Sequence, residues 1–286
     1  MKRWIALVML LLVLLPGCAP AEKEPRYRVV ETRHAVVNGV PANTELYSYD
    51  ENDRLAYRAL RNAQGNLEYE TYFSYERDGN NTWKISKTEM DGALINVDKE
   101  LLDKNGNVLE YWNITEDGEF ALRKTYAYDK AGNKIFERSC HGDSLYTHCW
   151  EYDKHGNETR AYSYKGTDDA AVYHDKETFY TYDEHGWPVE VMVCQTGRPG
   201  IITVYTNTYR ADGTLEYRVG VYEDESYFEE NYNAAGTREY FGYFSASGRL
   251  REKTVWEFDE HGNVIATEEW SGNVMIFRTE MVYEAY

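Results

Sequence analysis

The sequence predicts an all-β fold: an antiparallel meander of about eighteen short strands, built from hairpin repeats of about 26 residues and bent into a curved or spiral single sheet, with a two-layer sandwich as the alternative. Two observations carry this. A turn signature recurs nine times between Tyr47 and Asn263, and a second, weaker set of turns falls between its copies. No stretch after the leader has a helical apolar period.

The strong signature is an aromatic-rich strand ending in Asp, two free positions, then Gly and usually Asn. It reads YSYDENDR (47–54), YAYDKAGN (126–133), WEYDKHGN (150–157), YTYDEHGW (180–187) and WEFDEHGN (256–263), with looser copies at 73–80, 100–107, 208–214 and 231–237. The fourth turn position falls at Asp53, Gly79, Gly106, Gly132, Gly156, Gly186, Gly213, Gly236 and Gly262, in steps of 23 to 30 residues. Asp favours the first position of a tight turn because its carboxylate accepts turn amides, and Gly takes the positive φ that a bulged hairpin needs. Asp53 is a tolerable stand-in, since Asp visits that region more readily than most residues. The weaker turns are Asn62–Gly65, Glu89–Gly92, Thr115–Gly118, Ser139–Gly142 and Ser245–Gly248, with Asn38-Gly39 upstream. The beat loosens at 166–180 and around Arg198-Pro199-Gly200, where longer loops are expected.

If Asp pairs with the residue after Gly, Tyr128 faces Lys134, Tyr126 faces Phe136, Tyr49 meets Leu55, Tyr47 meets Tyr57, Phe258 meets Val264 and Trp256 meets Ala266. One face then collects the aromatic side chains, inside the curve. An open array of this length leaves its two end edges to be protected.

The leader has Lys2 and Arg3, an apolar core from Trp4 to Leu15 too short to span a bilayer, and Leu15-Pro16-Gly17-Cys18 at its end. That ending resembles the lipobox of bacterial lipoproteins, which implies that Cys18 is lipidated; ordinary signal cleavage is the alternative. The domain reading is 1–17 signal, 18–25 tether and 26–286 repeat domain. The chain is then extracytoplasmic, held to the bacterial membrane by lipid alone. Its formal charge of −18 moves to about −20 once Lys2 and Arg3 leave, which excludes nucleic acid as a partner.

The unit YxYDxxGN resembles the YD repeat of the Rhs and teneurin families. The resemblance rests on Tyr126, Tyr128, Asp129, Gly132 and Asn133, on Tyr180, Tyr182, Asp183 and Gly186, and on Trp256, Phe258, Asp259, Gly262 and Asn263. It implies a spiralling sheet that presents a recognition surface, carbohydrate among its ligands.

No cofactor or metal is expected. His155, His185 and His261 all precede the turn Gly, but equivalent turns stand about 10 Å apart, too far to share one ion. Asp103-Lys104-Asn105-Gly106-Asn107 has its Gly at position four rather than six, so it is a turn and not a calcium loop. Cys140 at a turn tip and Cys149 down a strand are placed too far apart to bridge, and Cys194 reads as a small apolar residue. No nucleophile elbow, phosphate loop or zinc-protease motif is present. The expectation is a non-catalytic protein that binds a glycan or envelope protein by stacking on Tyr126, Tyr128, Trp150, Tyr152, Tyr180, Tyr182 and Trp256; a purely structural lipoprotein and a glycan-acting hydrolase are the alternatives.

Overall fold

The computed structural model describes residues 27–36, 40–141, 144–166 and 175–285. The leader, Cys18, the tether, Asn38-Gly39 and Gly142 lie outside them. The chain forms β1 (Tyr27–Val36), β2 (Val40–Tyr49), β3 (Leu55–Asn62), β4 (Leu67–Asp78), β5 (Asn81–Met90), β6 (Ala93–Leu102), β7 (Val108–Ile114), β8 (Phe120–Tyr128), β9 (Lys134–His141), β10 (Ser144–Tyr152), β11 (Glu158–Lys165), β12 (Lys176–Tyr182), β13 (Pro188–Gln195), β14 (Arg198–Tyr209), β15 (Leu215–Tyr222), β16 (Tyr227–Tyr232), β17 (Arg238–Phe244), β18 (Leu250–Phe258), β19 (Val264–Ser271) and β20 (Val274–Ala285).

Every strand pairs antiparallel with its sequence neighbours, and β1 pairs with β20 along its length, from Tyr27↔Ala285 to Val36↔Phe277. The sheet is therefore a closed barrel of twenty strands. This corrects the open curved sheet, the sandwich and the spiral implied by the YD resemblance: a repeat array has two ends, whereas here the first and last strands hydrogen-bond to each other. Closure also removes the edges that an open array must protect. A round barrel of this strand number is about 40 Å across, so side chains of ordinary size line its wall and do not fill its centre.

The strong turns form one rim and the weaker turns the other, with the start of β1 and the end of β20 on the strong-turn rim. The chemistry of a strong turn is visible at Asp129. Its Oδ1 accepts the backbone N–H of Ala131 (2.8 Å) and Asn133 (2.9 Å), and its Oδ2 accepts the Asn133 side-chain amide (2.9 Å). Asn after Gly is thus part of the turn; the same bonds recur around Asp103, Asp153 and Asp259. Gly132 sits at φ 92°, Asp53 and Glu225 take positive φ in turns that supply no Gly there, and Asp91 does so beside Gly92.

Each strong turn except the one at Gly79, where β4 and β5 pair without a break, is followed by a bulge, and the bulge shifts the expected register by one residue. Tyr128↔Lys134, Tyr49↔Leu55 and Phe258↔Val264 stand as expected. One step further, Tyr126 faces Glu137, Tyr47 faces Arg58 and Trp256 faces Thr267, not Phe136, Tyr57 and Ala266. Arg198 and Gly200 are in strand β14 and not in a loop, and β9 runs on to His141, past the expected turn start at Ser139.

The two faces differ in exposure. On β14, Thr203, Tyr205 and Asn207 are buried or half-buried while Ile202, Val204, Thr206 and Thr208 are exposed; on β20, Thr279, Met281 and Tyr283 are half-buried while Glu280, Val282 and Glu284 are exposed. Phe228 on β16 reaches over β15 to Tyr205 on β14, at 5.7 Å between ring centres. Rings converge furthest on this face, where Trp187 before β13 reaches Tyr232 on β16 at 5.5 Å and Tyr222 reaches Tyr243 at 6.2 Å, so this less exposed face is the lumen. Register carries it around the wall, through Val191↔Thr203 and Tyr180↔Val191. The outer face is mixed, with Glu76, Lys87, Glu190, Lys253, Glu268 and Glu280 upon it among the exposed Tyr72, Ile202, Val204, Val221 and Val282.

Candidate functional site

The seven aromatics read from the sequence have separate fates. Tyr128, Tyr152 and Tyr182 are ties: their hydroxyls donate to the backbone carbonyls of Val108 (3.0 Å), Lys134 (2.8 Å) and Glu158 (2.5 Å). Tyr49, Tyr75 and Tyr283 do the same to Val29, Leu55 and Val264. In these bonds the phenol closing one strand caps a carbonyl near the start of its neighbour, at the rim where the ladder runs out. Tyr126 lies 5.8 Å from the Lys134 ammonium, which stands 4.3 Å over Trp150 on its other side. Trp256 is covered by the Arg238 guanidinium at 4.7 Å.

Trp150 and Tyr180 come together. They wall a cavity of about 330 Å³ on the lumen side of β10, β11 and β12, with His148, Glu158, Ser163, Lys176 and Thr178. The register explains the convergence, for His148 pairs with Ser163, Trp150 with Ala161, Ser163 with Lys176 and Ala161 with Thr178. The His148 imidazole stacks on Trp150, centroids 6.2 Å apart, and Tyr180 stacks on Tyr182 at 6.4 Å. Burial raises the Glu158 carboxyl above its ordinary value. Burial, then the charge and hydrogen bond of Glu158, pushes the Tyr180 phenol up. The site thus offers two aromatic walls, hydroxyls, an imidazole, an ammonium and one carboxylate, a set that can stack on a sugar ring and bond its hydroxyls.

A second polar centre was not legible in the sequence. Glu230 on β16 is 2 % exposed, and its carboxylate is gripped by Arg218 (2.7 Å) and Arg238 (2.6 Å) and accepts the Tyr232 hydroxyl (3.0 Å). Arg218 in turn lies against the rings of Trp187, Tyr205 and Phe228. Arg218 pairs with Glu230 across β15 and β16. With every oxygen occupied, the cluster reads as a structural clasp. Elsewhere His185, considered as a turn residue, packs tilted against Tyr209 at 4.2 Å, and among the described residues no disulfide joins Cys140, Cys149 or Cys194.

No family model and no curated protein matches the chain. Among solved structures it is similar to a porin-like protein from Bacteroides uniformis (13 % identity, 90 % of this chain and 98 % of that one, TM-score 0.30) and to one from Bacteroides vulgatus (10 %, 90 % and 98 %, 0.29). It is also similar to a periplasmic gluconolactonase from Pseudomonas aeruginosa (9 %, 87 % and 99 %, 0.18). At these scores the superpositions are slight, and the barrel rests on its own strand pairing.

Proposed function

We propose that this chain is a non-catalytic β-barrel of the bacterial cell envelope, tethered by lipid on Cys18, that takes a saccharide in the lumen-side cavity of Trp150 and Tyr180. The carrying observation is that cavity, where two aromatic walls face hydroxyl, imidazole and charged groups at the size of a sugar residue or two. Among the described residues it holds one carboxylate, Glu158, whereas glycoside hydrolysis ordinarily needs a pair. The outward cations favour a barrel standing in water: one such as Lys87 or Lys253 facing lipid at mid-bilayer costs about 2–4 kcal/mol each. A barrel inserted in the outer membrane is the second reading, favoured by the even strand number and by β1 and β20 opening and closing on one rim.

Fractionation of cells expressing Cys18→Ser with its signal intact separates the two. A tethered barrel moves to the soluble extracytoplasmic fraction, while an inserted one stays in the membrane. For the ligand, Trp150→Ala and Tyr180→Ala abolish binding to cell-wall glycan fragments; a wild-type protein that binds none of them sinks the saccharide reading.

A further inference from the structure

The outer wall carries a second aromatic cleft, independent of the lumen cavity. Trp83 on β5 and Trp112 on β7 stand either side of β6, and with Glu76, Ile85, Lys99 and Phe120 they line a cavity of about 360 Å³. Register places them together: Glu76 pairs with Trp83, Ile85 with Lys99, and Lys99 with Trp112. Glu76 shares its face with the exposed Tyr72 and Ser74 of β4, opposite the buried Thr71, so the cleft opens outward.

Both indoles are held by their edges. Trp83 Nε1 donates to Asp78 Oδ2 at 3.3 Å and Trp112 Nε1 to Glu110 Oε2 at 2.8 Å, which fixes the two half-buried rings where they line the cavity. Ile85, 8 % exposed, forms the floor. The Lys99 ammonium rests 3.9 Å over the Phe120 ring, and the exposed Glu76 carboxylate stands at the lip.

We propose that this cleft is a saccharide site for an uncharged pyranose within a polymer. The apolar C–H face of the ring stacks on the fixed indoles, while Glu76 accepts sugar hydroxyls and Lys99 donates to ring and hydroxyl oxygens. Two features select the ligand. Fixed aromatic faces beside a balanced acid and base suit a neutral polyol, and a chain of formal charge −18 disfavours polyanionic sugars. An outward cleft also meets a long polymer laterally, which a cavity within a barrel does not.

The test is calorimetric titration of the mature Cys18→Ser chain with cellohexaose, maltohexaose, chitohexaose and polygalacturonate. At least one neutral oligomer binds and polygalacturonate does not. Trp83→Ala and Trp112→Ala each weaken that binding about tenfold, and Glu76→Gln, at an exposed lip where folding is not at stake, weakens it several-fold. Failure of every neutral oligomer to bind overturns the proposal, as does unchanged affinity in Glu76→Gln. Binding that survives Trp83→Ala/Trp112→Ala but is lost in Trp150→Ala also overturns it, and leaves the lumen reading standing. Loss in the outer variants with Trp150→Ala unaffected supports the outer site and removes the lumen one.

Discussion

The phenol of Tyr128 shows how much of this molecule is decided by single atoms. Tyr-Asp reads in sequence as an exposed aromatic beside an acid, an arrangement suited to ligands. In the fold the hydroxyl is spent on the Val108 carbonyl and the carboxylate on its own turn. Tyr128→Phe and Tyr152→Phe each lose a rim hydrogen bond, an expected cost of about 0.5–1.5 kcal/mol in urea denaturation, with no change in sugar binding. The Asp129 carboxyl is lowered by its Asn133 side-chain partner first, then by turn amides, and Asp103, Asp153 and Asp259 are lowered within the same motif. A lowered carboxyl stabilises the fold above its unfolded value, and that contribution is lost as pH falls below about 4. The phenols run the other way. Burial, the largest of the causes, pushes Tyr47, Tyr111, Tyr182, Tyr217 and Tyr232 up to about 12. Their contribution is intact below the ordinary phenol value near 10 and declines as pH climbs from about 10 to 12. Circular dichroism across both limbs should show a plateau between them; constant stability from neutral pH to about 12 would contradict the raised phenols.

At the scale of the element, the hairpin was legible because its signals are local. Asp, Gly and Asn sit within five residues of one another, and the bonds at Asp103, Asp129, Asp153 and Asp259 repeat them in space. The bulge was half legible: the pairing at Tyr128↔Lys134 follows from turn length, but the slip to Tyr126↔Glu137 depends on how the extra residue is absorbed by the twisting strand. Two strand glycines have no turn to announce them. Gly220 faces the Phe228 ring, and a Cβ there would overlap it; Gly242 is similarly close to the Tyr240 and Phe244 side chains. Gly220→Ala should destabilise by about 1–3 kcal/mol, since the ring must leave its place among Tyr205, Tyr222 and Phe241. An unchanged melting temperature would show that Phe228 moves freely. The Glu230 clasp was illegible for the same reason, because Arg218, Glu230 and Arg238 meet only through register.

At the scale of the molecule, the sequence shows strands and one-sided aromatics but not closure. Nothing local in RYRVVETRHAV or in VMIFRTEMVYEA states that these segments pair; they lie some 250 positions apart, and their pairing is a property of how nineteen hairpin steps accumulate curvature. The candidate site follows the same logic. Trp150 and Tyr180 were on the aromatic face by alternation, yet their convergence with His148, Glu158 and Lys176 needs the ladder from β10 to β12. Closure is the central claim, and its seam supplies the measurement. His34 Nδ1 lies 3.0 Å from Thr279 Oγ1 across β1 and β20. In a chain with Cys18, Cys140, Cys149 and Cys194 replaced by Ser, His34→Cys/Thr279→Cys should form an intramolecular disulfide in nearly all molecules under mild oxidation, read by gel mobility and mass. Monomers that keep both thiols free, or that link only between chains, would contradict a closed barrel.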